Sequence, residues 1–399
     1  MNKINVYSEI GKLKTVLLHE PGNEIHNLTP KRLDDLLFDD IPWLPLAKKE
    51  HQAFAKTFID NGVKVLCLVD LVSEALDEDK KIKEKFIHQF VKEANIRHIE
   101  LEQKVTKYLL SFTNTKEMVE KSISGIKAKE LDSLYKNDNE FITDPMPNLY
   151  FQRDPFASVG NSISLNSMYS LTRSRETIYG EYIFKYHPTY KNTSLVYSRD
   201  EIKSIEGGDI LILNENTILV GRSQRTKLKA IKKFANNVFY KSSLPFKNII
   251  IFSIPKARTF MHLDTVFTQV DIDKFTIHKG ILKRLELEEI SKGDKLIHKK
   301  KYKGSLESLL EKYVGKKITL IPVGGDDAIS ADREQWSDGS NTIAIAPGVV
   351  IAYERNDITN EILRKNGIKV FEIPSSELSR GRGGPRCMCM PLEREEIKK

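Results

Sequence analysis

Cysteine is scarce: three residues in a chain of 399 make no disulfide framework, and a reducing, cytoplasmic setting is expected. Long apolar runs are missing as well. None approaches the ~20 residues needed to span a bilayer, so no membrane segment is expected. The opening MNKINVYSEIGKLKTVLLHE lacks the basic-then-apolar layout of a secretory signal. Proline is absent between Pro45 and Pro145, and Gly125 is the only glycine between positions 71 and 141. That argues against turn-rich β structure in this stretch and leaves helices. Charge of one sign is not concentrated. The formal net charge is +8, yet Lys and Glu are mixed along the chain. The one lysine cluster (Lys299, Lys300, Lys301 and Lys303) reads as a loop, so a solvated surface is expected and no nucleic-acid partner.

What is present has a recurring order. KTVLLH (14–19) reads as a short buried strand and is followed by an irregular loop over 38–45. A helix over about 47–59 buries Ala47, Phe54, Ala55 and Phe58 and ends at Asn61-Gly62. VKVLCLV (63–69) returns as a strand with Cys67 packed in its middle. In the glycine-poor stretch, Ile82, Phe86, Ile87, Phe90 and Val91 keep helical spacing, as do Leu101, Val105, Tyr108 and Leu109. After Pro145, three stretches rhyme: SISLNSMYSLTRSRET, DILILNENTILVGRSQRT and TIAIAPGVVIAYERNDIT. Each reads as a hairpin followed by an Arg-bearing turn. The helix exit Asn61-Gly62-Val63-Lys64-Val65 is echoed by Asn366-Gly367-Ile368-Lys369-Val370. Such recurrence predicts small ββαβ units around a common centre. Residues 1–70 and 146–399 would form that body, with 71–145 inserted as a helical bundle.

Four clusters carry candidate chemistry. They are Asn148 to Pro155, the Glu206-Gly-Gly-Asp209 turn, Met261-His262-Leu263-Asp264, and the C-terminal SRGRGGPRCMCM. In the last, Gly381, Gly383 and Gly384 allow backbone angles closed to other residues. Arg382 and Arg386 place positive charge near Cys387, favouring the nucleophilic thiolate. Alternation along an extended chain would put His262 and Asp264 on one face. Each cluster also has an ordinary reading: a surface ion pair for Arg153-Asp154, a plain turn at Glu206, a hydrogen-bonded core His262. A metal site with Cys387 and Cys389 as thiolate ligands is a further alternative, but no second Cys pair and no HxxxH spacing supports it.

Taken together, one Cys and one His supply covalent and acid–base catalysis. The excess of carboxylates is the informative part. Asp154, Glu206, Asp209 and Asp264 would repel an oxyanion and welcome a cation, and a planar guanidinium pairs bidentately with carboxylates. The expected electrophile is a guanidinium carbon.

Long motifs then bring a family into view. VLLHEPG, LFDDIPWL, MPNLYFQRDPFAS, RETIYGEYIFKYHP, EGGD, MHLDTVFTQVD, REQWSDG, APGVVIAYERN and SELSRGRGGPRCM together resemble the arginine deiminases, nearly end to end. The resemblance implies a five-bladed α/β propeller with an inserted helical domain. It implies hydrolysis of L-arginine to citrulline and ammonia without cofactor or metal, by a cytoplasmic homo-oligomer, dimer or tetramer. Carried over by position, Cys387 becomes the nucleophile and His262 the general acid and base. Asp154 and Asp264 become the guanidinium clamp, and Glu206 contacts His262 and substrate. Asn148, Arg173, Arg225 and Arg382 surround the amino-acid end, and segment 38–44 closes over the site. Asp209 becomes a supporting residue. Departures are small: Gln152 and Gln224 replace the commoner Thr and Glu, the latter leaving Arg225 one countercharge short, and Cys389 replaces a hydroxyl residue. An amidinotransferase of the same fold is the alternative.

Overall fold

The computed structural model describes residues 3–132, 141–255 and 259–397. Within them one small topology occurs five times: an antiparallel strand pair, then a third strand parallel to the second. The first instance joins the two ends of the chain. Met390–Arg394 pairs antiparallel with Leu13–Leu18, helix Leu44–Asp60 follows, and Lys64–Cys67 pairs parallel. The second is Phe156–Val159, Ser162–Leu165, helix Thr177–Tyr186 and Ser194–Tyr197. The third is Ile210–Asn214, Thr217–Arg222, helix Leu228–Tyr240 and Asn248–Ser253. The fourth pairs Phe267–Gln269, Lys274–Ile277 and Thr319–Pro322. The fifth is Ile343–Ala346, Val349–Tyr353, helix Asp357–Lys365 and Lys369–Ile373.

The short buried strands are Val- and Ile-rich because the parallel pairing hides both faces. The rhyming helix exits hold up: Gly62 and Gly367 both take φ near +75 to +79°, which closes each helix before its strand. The expected hairpins at 209–226 and 342–359 are present. The first rhyme is corrected. SISL is only the second strand of its hairpin, which turns at Gly160, and the residues after it form a short helix, Leu171–Ser174. The lysine cluster is corrected too. It lies mainly on the exposed strand Ile297–Tyr302, where Lys299 and Lys300 pair with Glu288 and Glu289 across the ladder. A run of exposed lysines on an edge strand opposes further pairing.

Helices fill the glycine-poor stretch as expected: Lys80–Glu93, Ile99–Leu110 and Thr115–Ser124, with Asp79 and Asn114 capping the first and last. The first helix of the group begins earlier than expected, at Leu68. Cys67 is therefore half-buried at a strand end, not packed mid-strand. The bundle's apolar face continues into the second unit, where Phe86 meets Tyr182 edge-on at 5.1 Å.

Helix Leu44–Asp60 also fixes the C-terminal loop. Glu50, buried in that helix, accepts hydrogen bonds from Ser376 Oγ at 2.7 Å and from the backbone N–H of Glu377 and Leu378, each at 2.9 Å. Glu50→Ala is expected to lower stability by about 2 kcal/mol or more, because buried donors lose their acceptor. An unchanged urea midpoint would show that the loop is held by something else.

Candidate active site

Loops at the ends of the five strand sets bring the sequence candidates together. Asn148 lies on a 3₁₀ turn, Pro147–Tyr150, and its Nδ2 donates to Leu36 O at 2.7 Å. Asp154 sits in the next turn. His262 precedes the 3₁₀ turn Leu263–Thr265, so it shares a site with Asp264 by curling and not by extended alternation. Glu206 precedes a similar turn, Gly207–Asp209. Cys387 follows the glycine-rich loop, and its backbone N–H is anchored on Asn341 Oδ1 at 2.9 Å.

That loop uses its glycines differently from the expectation. Gly381, Gly383 and Gly384 do not have positive φ; Arg382 does, at +61°. The glycines are needed for close approach. A Cβ on Gly381 would strike Tyr150 Oη, one on Gly383 the Phe151 ring, and one on Gly384 would sit 2.7 Å from Asn341 O.

A small cavity is lined by Asp154, His262, Cys387, Asn148, Arg173, Arg225 and Arg382. Leu37, Phe151, Met261, Thr265 and Gly381 line it as well; the sequence placed Phe151, Met261 and Gly381 in the candidate clusters without a role and did not single out Leu37 or Thr265. Leu37 carried a faint signal, standing next to the expected closing segment 38–44. Glu206 and Asp264 stand directly behind. His262 Nε2 lies 2.8 Å from Glu206 Oε2, and its Nδ1 is 3.7 Å from Asp154 Oδ1. Burial opposes charge on this imidazole. Asp154, the Glu206 hydrogen bond and Asp209 outweigh it, raising His262 to about 9. Burial acts on Glu206 in the opposite sense, but Arg225 and His262 hold it well below the usual carboxylate range. Arg225 is 3.8 Å from Glu206, so Glu206 supplies the countercharge that Gln224 does not.

The thiol's surroundings overturn the electropositive reading. Arg386 is fully buried and already engaged: Nε donates to Glu9 Oε2 at 3.1 Å, Nη1 to Asp264 Oδ2 at 2.7 Å and Nη2 to Ile210 O at 2.9 Å. Cys387 Sγ is 3.7 Å from the same Asp264 oxygen. Burial first, then Asp264, Asp154 and Asp338, push the thiol well above its ordinary value, and Arg386 does not offset them. Glu9, which no motif reading singled out, belongs to this network. Arg153 forms no surface ion pair; it is buried, with Nε donating to Arg386 O.

Two carboxylate oxygens are left over. Oδ1 of Asp154 and Oδ1 of Asp264 are buried without a hydrogen-bond partner, while each Oδ2 is held by an arginine, Arg173 at 2.8 Å and Arg386 at 2.7 Å. Arg173 is further clamped by Glu176 at 2.9–3.1 Å. Arg382 lies flat on Trp336, 3.4 Å from the ring centroid, and 4.0 Å from Asp39. Asp209 accepts from Ser223 Oγ at 2.6 Å and Leu263 N at 2.9 Å, a supporting position.

Metal chemistry fits this geometry less well. Cys389 Sγ turns to Arg386 O at 3.6 Å, so the two thiols do not converge. Donor atoms of Asp154, Glu206 and His262 do lie within 4.8 Å of one another. A metal there would have to displace the imidazolium proton that Asp154 and Glu206 favour.

The raised His262 value has a signed consequence. Stability from pairing the imidazolium is full below the ordinary 6.5 and is lost as pH rises through about 9. Ring titration by NMR is expected to place His262 near 9 and to move it downward in Glu206→Gln. A wild-type value at or below 6.5 would contradict the electrostatic picture.

With the geometry in place, comparison with known proteins is direct. A sequence model of the arginine deiminase family matches residues 34–394. The arginine deiminase of Treponema denticola is 52% identical over 412 residues, covering 100% of both chains. That of Clostridium perfringens is 51% identical over 407 residues, covering 99% of this chain and 98% of the relative. Among solved structures, the amidinotransferase SxtG of the saxitoxin pathway in Microseira wollei aligns with a TM-score of 0.56 at 12% identity, over 99% of this chain and 98% of that one. The N-terminal domain of ArgZ, an arginine dihydrolase of cyanobacteria, aligns with a TM-score of 0.55 at 12% identity, over 95% and 97%. These structures share the α/β fold with this chain. The full-length identities go further, and the chain belongs to the arginine deiminase family.

Proposed function

We propose that this arginine deiminase works through Cys387 and His262, with Asp154 and Asp264 receiving the substrate's guanidinium. The observation that carries the reading is the pair of buried carboxylates, Asp154 and Asp264, whose Oδ1 atoms accept no hydrogen bond, with Asp264 reaching the thiol through Oδ2 at 3.7 Å. Two carboxylates held rigid from behind by arginines, each with an oxygen to spare, suit the N–H edges of a planar cation. Arginine brings the positive charge that the thiol's own surroundings lack. Its binding offsets the carboxylates that hold Cys387 protonated, and the thiol proton is released to solvent.

The thiolate then attacks the guanidinium carbon. Protonated His262 gives its proton to the departing nitrogen, so that ammonia leaves and an S-alkylthiouronium remains on Cys387. Neutral His262 next takes a proton from water as its oxygen bonds to the same carbon. The C–S bond breaks to return the thiolate, and the new hydroxyl gives its proton to solvent as it becomes the carbonyl of citrulline. Glu206 holds the imidazole in place throughout. Asn148, Arg173, Arg225 and Arg382 are assigned to the amino-acid end. Arg173 meets it while remaining braced by Glu176. An amidinotransferase would pass the same amidino group to an amine, but the family and its relatives favour water as acceptor.

The architecture proposed for this chemistry is a five-bladed propeller, with the five strand sets as blades and residues 71–145 as a helical insert in a body made of 1–70 and 146–399. Pairing of Leu17 with Met390 in the first set supports it, since a ring needs one blade built from both chain ends. The family reading extends to a cytoplasmic homo-oligomer.

Incubation with L-arginine and no amine is expected to release citrulline and ammonia, and rapid quenching to trap added mass on Cys387. Cys387→Ala should abolish turnover, whereas Cys389→Ser should retain most of it; the reverse pattern would sink the assignment. Arginine should exceed agmatine, which lacks the carboxylate, by at least roughly 10²-fold in kcat/KM, since charged hydrogen bonds contribute about 1.5–3 kcal/mol each. Equal efficiency on the two would remove the arginine cluster from this account.

A further inference from the structure

The motif REQWSDG (333–339) is not used by the chemistry above, yet it is built tightly against the site. Glu334 accepts from the backbone N–H of Ile358 and Thr359, each at 2.9 Å, and from the Thr359 hydroxyl. Gln335 Nε2 donates at 2.7 Å to Thr265 O, in the turn that carries Asp264. Asp338 is buried with left-handed backbone, φ +58°. Its carboxyl is raised to about 7, by burial chiefly and despite Arg382. Between these anchors lies Trp336, the last residue of helix Ala328–Trp336.

That ring is 46% exposed, which is unusual for so large an apolar surface. One face is covered. The Arg382 guanidinium stacks on it at 3.4 Å, leaving Arg382 only 8% exposed although it sits at the cavity mouth. A guanidinium stacked by its face directs its N–H groups sideways, and Arg382 Nη1 lies 4.0 Å from Asp39 Oδ2. The loop backbone contributes as well. Arg382 is held left-handed, at φ +61° and ψ +60°, a conformation that a non-glycine residue keeps only when its surroundings fix it.

We propose that Trp336 is a positioning residue for substrate selectivity: by stacking on Arg382 it holds that cation where an α-carboxylate would arrive. The proposal rests on the arginine reading of the site given above. It assigns Trp336 no part in bond making. Its loss should weaken recognition of the carboxylate and leave the guanidinium clamp, Cys387 and His262 as they are.

The test compares Trp336→Leu and Trp336→Tyr with wild type in steady-state kinetics, using arginine as substrate and agmatine as competing ligand. Trp336→Leu is expected to raise the KM for arginine on the order of tenfold, the scale of a desolvated cation–π contact. Its kcat should stay within about twofold, and the agmatine inhibition constant should not move. Trp336→Tyr, which retains a ring face, should recover most of the affinity. Parallel weakening of arginine and agmatine would overturn the proposal by showing a merely structural role. An unchanged arginine KM, or a loss confined to kcat, would overturn it equally. Failure of the wild type to turn over arginine would instead strike the reading of the reaction itself.

Discussion

The structure depends on a concentration of buried negative charge that is deliberately left incomplete. Asp154, Glu206, Asp209 and Asp264 converge where water is scarce, and burying a carboxylate without a partner is costly. Most of that cost is met from within, by Arg173, Arg386, Arg225 and the His262 imidazolium. Two oxygens, Oδ1 of Asp154 and Oδ1 of Asp264, still accept no hydrogen bond. On the proposed reading this acidic centre receives a cation, and the same carboxylates, after burial, push the Cys387 thiol above its ordinary value.

The surrounding fold works to keep those charges fixed. Arg386 reaches from Glu9, near one end of the chain, to Asp264, and it is adjacent in sequence to Cys387 near the other end. Glu50 pins the loop before it, Asn341 pins the Cys387 backbone, and the glycines let aromatic rings press against that loop. Short strands with parallel crossovers supply rigid edges, and the site is made from the turns that leave them. Cys387, His262 and the carboxylates Asp154 and Asp264 therefore come from three distant parts of the sequence, and Cys387, His262 and Asp154 line one cavity.

Much of this was legible in the residues. The period of Ala47, Phe54 and Phe58 marks its helix because helical spacing leaves a repeating apolar stripe. The Asn-Gly exits mark their turns because a positive φ suits glycine. An excess of carboxylates near a Cys and a His announced a cationic substrate. What was not legible depended on tertiary pairing. The charge of Arg386 looked available to the thiol in one dimension, but Glu9 and Asp264 claim it in three. The glycines looked conformationally permissive, whereas Tyr150 and Phe151, more than two hundred positions away, explain Gly381 and Gly383, and Asn341 explains Gly384. The lysine run read as loop because polar edge strands lack the apolar alternation by which strands are recognised. Trp336 carried no chemical signal at all until its ring was seen under Arg382.

The central claim is that the site is acidic enough to keep its nucleophile protonated until a cation arrives. It is tested most directly by following thiolate absorbance against pH, as the difference between the wild-type chain and Cys387→Ala. The account predicts that the Cys387 thiol titrates above 9, its ordinary value, and that a guanidinium ligand such as agmatine pulls the titration down. A thiol that titrates at or below 9 and ignores the ligand would contradict it.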